Sequence, residues 1–258
     1  MSRIELPRHD IVAVRAANPG PFTLTGTNTW LVGRDPAWMI DPGPLLDAHV
    51  QALVDEATAR GGLGGVALTH DHPDHAQAVP AIRERFAETP VIGARGEVDV
   101  VLADGASLGP LVAVATPGHA PDHFGFVAED VLFTGDAVLG EGSSFISPYP
   151  GSLRAYLGAL ERLSRRDLSI LAPGHGPPVT SAHDKLAEYI THRLEREGRL
   201  VAALEAGRRT VDELLDYAWS DAPVALRPAA AATLAAHLDK LAEEGRLPEG
   251  VERPRVSL

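Results

Sequence analysis

The chain has 258 residues, 45% hydrophobic and 22% charged, with 25 glycines, a globular composition with room for one large domain or one large and one small. It contains no cysteine, which excludes disulfides and cysteine-based zinc fingers, and its apolar runs fall short of the roughly 18 residues of a membrane span. With 23 basic against 35 acidic side chains the net charge is −12, a sign that repels polyanions at long range.

The first ten residues, MSRIELPRHD, hold no long apolar stretch of the secretory kind, so a cytoplasmic protein without a membrane partner is expected. Thr29 to Val32 and Trp38 to Ile40 have strand character and are joined by the turn signal Gly33-Arg34-Asp35-Pro36. The second runs into the stop Asp41-Pro42-Gly43-Pro44. Apolar residues at Leu46, Val50, Leu53, Val54 and Ala57 predict an amphipathic helix that ends at Arg60-Gly61-Gly62. A short strand over Val66 to Thr69 follows, then a helix over Ala76 to Phe86. Strands are predicted at Val91 to Ala94 and Leu111 to Ala115, and Phe124 to Val127 with Val131 to Thr134 reads as a hairpin. Leu153 to Leu163 returns to helical spacing, and Ser169 to Leu171 is the last strand expected. The alternation of strands and helices up to about residue 180 predicts a layered α/β arrangement.

After Val179 the strand signal disappears. Three helices are predicted, over Ala187 to Glu205, Thr210 to Ala218 and Pro228 to Glu244, with a capping box at Thr210-Val211-Asp212-Glu213 and a small terminal hairpin opening at Gly245-Arg246-Leu247. The expected division is a domain over residues 1–182 and a helical domain over 183–258. Residues 1–182 carry 12 basic and 21 acidic side chains, a net −9, and residues 183–258 carry 11 and 14, a net −3.

The chemistry concentrates after the strand Val66 to Thr69. His70-Asp71-His72-Pro73-Asp74-His75 places three imidazoles and two carboxylates in six positions. These are the ligands that borderline divalent metals prefer, and a loop at a strand end lets alternate side chains converge. His70 and His72 can share one ion, while Asp74 and His75 can face a second. Three further candidates stand at strand ends beside glycine: His119 in Thr116-Pro117-Gly118-His119, Asp136 in Thr134-Gly135-Asp136, and His175 in Pro173-Gly174-His175-Gly176. Seven ligands suffice for two ions with a position open to water.

The run Thr69 to His75, followed in order by His119, Asp136 and His175, resembles the metallo-β-lactamase-fold hydrolases. The segments Asn18-Pro19-Gly20, Thr25 to Leu31, Gly140-Glu141-Gly142 and Pro173 to Pro177 resemble its glyoxalase II-like group, and within that the beta-lactamase-like protein 2 family. The resemblance implies an α/β fold, the αββα metallo-β-lactamase sandwich, followed by a small winged-helix-like domain. It implies that His70, His72 and His119 bind a first metal, that Asp74, His75 and His175 bind a second, and that Asp136 bridges them. Zinc is the expected metal, with manganese and iron as alternatives.

The implied activity is hydrolysis in which a bridging hydroxide attacks single-stranded RNA or an acyl ester or thioester, with Asp74 as the catalytic residue that orients the nucleophile. Lactonase or β-lactamase-type action on a cyclic carbonyl is the second enzymatic reading. A nucleic-acid-binding regulatory protein with a structural metal site is a reading of another class, against which a ligand set with an open position argues, because structural zinc sites are closed. Asn28 is implied as a substrate contact. His123 is read as a substrate contact, a hydrogen-bond donor to a ligand, or a packed histidine. Asp71 is expected to cap a helix or support a ligand rather than bind metal, and Asp41 to support a ligand imidazole or shape a turn. Residues 140–151 are expected to form a loop at the mouth of the site or an ordinary surface connection. The C-terminal module is expected to bind nucleic acid, shape the substrate groove or form a homodimer, and its charge favours the last two.

Overall fold

Alternating apolar residues build the first sheet from the N-terminus. In β2 (Ile11–Arg15), Ile11 and Ala13 turn to one side and Val12 and Val14 to the other, and in β3 (Asn28–Val32) Trp30 and Leu31 divide in the same way. The computed structural model describes residues 2–255, which divide into two compact units. The first comprises Met1–Ala115, Asp122–Gly142 and Asp167–Ala182. The second comprises Thr116–Pro121, Ser143–Arg166 and His183–Leu258.

In the first unit, β1 (Ser2–Leu6), β2, β3, β4 (Ala37–Ile40), β5 (Leu63–Ala67), β6 (Val91–Gly93) and β7 (Val100–Val101) form a seven-stranded sheet in chain order. β1 to β4 pair antiparallel and β4 to β7 parallel. The parallel crossovers carry α1 (Asp47–Ala59), then α2 (Pro73–Ala76) with α3 (Val79–Arg85). Leu53 and Ala57 of α1 and Val79 and Ile82 of α3 cover Val12, Leu31, Met39 and Val66 on one face. A five-stranded sheet covers the other face, in the order β12 (Ile170–Pro173), β11 (Val131–Gly135), β10 (Phe124–Ala128), β9 (Leu111–Ala115), β8 (Ser107–Leu108). Phe126, Phe133 and Leu111 from this sheet meet Trp30, Ile40 and Ala67, and the Trp30 and Phe133 rings lie edge to face at 5.8 Å. Burying a side chain of this size contributes about 1.5 to 3 kcal/mol.

Two pairings matter for function. β4 and β5 run parallel in the first sheet, and β11 and β12 run parallel in the second. Their carboxyl ends are followed by Asp41, by His70 to His75, by Asp136 and by His175, so loops from both sheets deliver polar residues where strands end.

The second unit contains α4 (Ser152–Leu163), α5 (Ala182–Glu205), α6 (Val211–Ala218) and α7 (Arg227–Glu243). Its core joins Leu200 and Leu204 of α5, Leu214 and Leu215 of α6, and Leu234, Leu238 and Leu241 of α7. The capping box forms: Thr210 Oγ1 accepts from Glu213 N, and Glu213 Oε2 accepts from Thr210 N at 3.0 Å. The terminal hairpin does not form, and no strand lies between residues 244 and 255. Gly245 closes α7 at a φ of 67°, Arg246 binds Glu197, and Leu247 and Val251 pack on the helical core, so side chains hold this segment in place of a ladder. The helix predicted over 76–86 is α3, which begins at Val79 and ends at Arg85, and the single turn α2 precedes it on the run that holds Asp74 and His75. Among the described residues no helix is long and apolar enough to cross a membrane.

Candidate metal centre

The site grows out of the end of β5. Thr69 N and Oγ1 each donate to the Asp41 carboxylate at 2.7 Å, fixing the chain before it turns into His70. Asp41 itself sits at a φ of 52° after β4, and its Oδ2 accepts from His75 Nδ1 at 2.8 Å. That bond commits Nδ1 and leaves His75 Nε2 facing the interior of the cluster. The support expected of Asp41 is thus visible as two backbone-and-hydroxyl contacts and one imidazole contact.

Within the first unit the ligand candidates converge. One ligand atom each from His70, His75 and Asp136 lie within 4.8 Å of one another, and so do one each from Asp74, His75 and His175. His75 belongs to both groups. Its Nε2 is 3.4 Å from Asp136 Oδ1 and 3.6 Å from Asp74 Oδ2, while His175 Nε2 is 3.3 and 3.2 Å from the same two atoms. His72 joins through His70, with Nδ1 2.9 Å from His70 Nε2. Asp136 Oδ1 stands between the two imidazoles.

Two glycines make this approach possible. A β-carbon on Gly135, at a φ of 46°, would come within 2.6 Å of Thr69 Oγ1 and 2.8 Å of His123 Nε2. One on Gly174 would come within 2.7 Å of His75 Cε1 and 2.9 Å of Asp136 Oδ1. No side chain larger than hydrogen fits between the ligands.

The electrostatics follow from burial. Burial opposes the charge on Asp136, but the charges of His175 and His75 outweigh it and hold the carboxyl well below its usual range. Burial likewise opposes protonation of His75, and the charges of Asp136 and Asp41 overcome it, raising its pKa well above the ordinary value. His175 is raised to about 9 against burial by the charge of Asp136 and hydrogen bonds to Asp136 and Asp74. His75 Nε2 and His175 Nε2 are buried and face the carboxylate oxygens of Asp136 and Asp74 at 3.2 to 3.6 Å, longer than an ordinary charge-assisted hydrogen bond. Buried imidazole nitrogens aimed in this way at ionised carboxylates are the donor set a divalent cation takes.

His119 lies in the segment Thr116–Pro121 of the second unit. There its ring packs edge-on against Phe145 at 4.6 Å, and its Nδ1 is 3.3 Å from both Phe145 O and Ser144 Oγ. The loop 140–151 touches two of the predicted histidines: Gly140 N donates to His175 O within the first unit, and Phe145 covers His119 within the second.

Asn28 differs from the substrate contact expected of it, and of the three readings of His123 the structure shows a hydrogen bond to a ligand residue. Asn28 is fully buried; its amide donates to Pro173 O at 3.0 Å and Gly176 O at 2.9 Å, and its Oδ1 accepts from Arg15 Nε at 2.9 Å. It clamps the two ends of the His175 loop and has no donor left for a substrate. His123 Nε2 accepts from Asp136 N at 3.1 Å, so this ring fixes the backbone of the central carboxylate. Asp71 is exposed, lies over Gly96 and caps no helix. Arg15 and Ser144 escaped the sequence reading, because each reaches the site only through tertiary contacts and neither stands in a recognisable spacing.

Residues 22–99 and 92–175 match the family described as the Metallo-beta-lactamase superfamily, and residues 210–250 match the Beta-lactamase associated winged helix domain. The chain is 30% identical to the Beta-lactamase-like protein 2 homolog of Caenorhabditis elegans, over 91% of this chain and 85% of that one. It is 34% identical to the atrochrysone carboxyl ACP thioesterase of Aspergillus chevalieri, over 77% and 67%. A solved structure of a beta-lactamase domain protein from Burkholderia ambifaria superimposes with a TM-score of 0.76, at 19% identity over 96% of this chain and 93% of that one, and shows the same fold.

Proposed function

The chain belongs to the metallo-beta-lactamase superfamily, and from that premise we propose that it is a binuclear metal-dependent hydrolase acting on an acyl ester or thioester. The observation that carries the reading is Asp136 Oδ1, which lies 3.4 and 3.3 Å from the Nε2 atoms of His75 and His175, in a cluster that also holds Asp74 and the His70–His72 pair. In this reading His70, His72 and His119 would hold one ion, Asp74, His75 and His175 the other, and Asp136 would serve both. Two divalent cations there, with zinc the expected metal, would supply hydroxide at neutral pH and polarise the electrophile.

The chain's own residues do the rest. The Asp74 side chain is 27% exposed where those of His75 and His175 are fully buried, so it reaches toward the substrate side. Burial works against its ionisation, but hydrogen bonding from His175 and the charge of His75 lower its pKa, and it is a carboxylate at neutral pH. As an acceptor it takes a hydrogen bond from the attacking water and aims the oxygen lone pair at the electrophile. Asp41 and His123 keep His75 and Asp136 in place during the reaction.

A carbonyl substrate is supported by the thioesterase names among the relatives and by the net charge of −12, which disfavours a polyanion. Single-stranded RNA is the second reading, supported by similarity to the Beta-lactamase-like protein 2 homolog over 91% of this chain and 85% of that one, together with the winged-helix match. Metal content of the purified protein, followed by turnover of acyl thioesters, lactones and labelled single-stranded RNA, tests both. About two ions per chain with chelator-sensitive thioester hydrolysis is the expected result. Two ions with RNA cleavage alone transfers the function to the second reading, and a metal-free protein overturns both.

A further inference from the structure

The second unit contains an unbroken set of buried contacts that runs from its helices to His119. Ser144 and Phe145 touch the His119 ring directly, with both Ser144 Oγ and Phe145 O 3.3 Å from Nδ1. Because a carbonyl oxygen only accepts, the Phe145 contact places the proton on Nδ1 and leaves Nε2 as the ligating nitrogen. The backbone of these loop residues is in turn held by helices distant in sequence. The guanidinium of Arg193, a residue of α5 that is 2% exposed, donates to Ser144 O. Thr233 Oγ1, on α7, accepts from Ile146 N at 3.2 Å and donates to Ala229 O at 3.1 Å, so it is held from below.

The opposite side of the histidine is equally fixed. Gly118 has a φ of 143°, and a β-carbon there would come within 2.5 Å of Tyr156 in α4. Gly118 O accepts from Ser147 N at 3.0 Å, and Arg193 lies over the Tyr156 ring at 5.6 Å. One buried arginine therefore touches both the loop that contacts His119 and the aromatic ring beneath the residue before it. A cation buried to this extent is expensive unless its contacts are specific.

We propose that Arg193 and Thr233 are positioning residues for metal binding, and that the C-terminal helices serve the hydrolase by holding the His119 segment in ligating geometry. This rests on the assignment of His119 to the first ion made above. It gives the winged-helix region a role in catalysis that needs no nucleic acid, in keeping with its net charge of −3.

The test is calorimetric titration of the chelator-stripped full-length protein with Zn2+, with circular dichroism and thermal unfolding of the metal-free form as controls. The wild type is expected to take up two ions. Arg193→Met is expected to weaken one of them by roughly tenfold or more, as loss of a residue supporting a ligand does, while the other binds as in the wild type. Arg193→Lys, which keeps a cationic donor near Ser144 O, should recover part of the loss. Thr233→Val removes the acceptor for Ile146 N and should weaken the same ion by a smaller factor; it decides the matter if Arg193→Met fails to fold. Wild-type binding of both ions in Arg193→Met and Thr233→Val, or equal weakening of the two ions, overturns the proposal. A wild type that binds fewer than two ions overturns the binuclear reading itself, and does so before any variant is compared.

Discussion

Each unit buries a cluster of acids and histidines, and the two clusters balance their charge differently. In the first unit Asp136, Asp74 and Asp41 face His75 and His175, with neither lysine nor arginine among their close ion pairs within the described residues. In the second, Glu197 is met by Lys240 Nζ at 2.8 Å and Arg246 Nη1 at 3.1 Å, with His237 Nδ1 at 3.9 Å. The chain supplies its own permanent cations to one cluster and only titratable imidazoles to the other. The cluster around Glu197 carries its own counterions, whereas the one around Asp136 suits cations brought from outside.

The sharpest break in this contrast is Asp136→Ala. Losing the carboxylate between His75 and His175 should remove at least one ion and lower kcat/KM by more than about a hundredfold, measured by metal analysis and steady-state kinetics. Asp41→Asn keeps the volume but weakens the acceptor that commits His75 Nδ1. Metal affinity should fall by roughly tenfold to a hundredfold in a chelator competition.

Both effects concern residues whose importance was uneven in the sequence. The run His70 to His75 was legible because so many ligands in one strand-end loop have no common structural use. Asp136 and His175 were legible because each follows a short strand and a glycine. The roles of Asn28 and His123 were not, since what occupies an amide or an imidazole depends on which loop the fold brings beside it. Here those loops are 173–176 and 135–136. The hairpin of β1 and β2 also escaped, because Ser2 to Leu6 is half-exposed and polar enough to read as a leader to the first strand. In the C-terminal half the capping box was readable from four residues, while the expected hairpin does not form and Arg246 is held instead by Glu197, far back on α5, and by Glu244.

Smaller effects sharpen the second half of the comparison. Glu197→Gln removes the more buried of the two carboxylates shared by Lys240 and Arg246, leaving Glu244, and should cost about 1 to 3 kcal/mol in urea unfolding. The approach of His237, with Lys240 and Arg246 outweighing burial, lowers the Glu197 pKa to about 2 from 4.5. A carboxyl lowered on folding stabilises the native state above its unfolded pKa. That contribution should be present above pH 4.5 and be lost as the pH falls toward 2, and Glu197→Gln should flatten this part of the stability curve. The smallest effect is expected for Asp71→Asn. Exposed and turned toward Gly96, Asp71 should change kcat/KM by less than about twofold despite lying between two ligands.

The parallel partnership of β11 with β12 has a consequence in time. Because His175 follows the last strand to join the sandwich, while Asp41 and His70 to His75 follow early ones, the second ligand group cannot assemble until nearly the whole first unit has been synthesised and its two sheets have closed. Contacts of such long sequence separation form late and slowly. Metal loading is therefore an event of the finished fold, and a nascent chain halted before β12 would leave the ribosome with half a binding site and an open sheet edge.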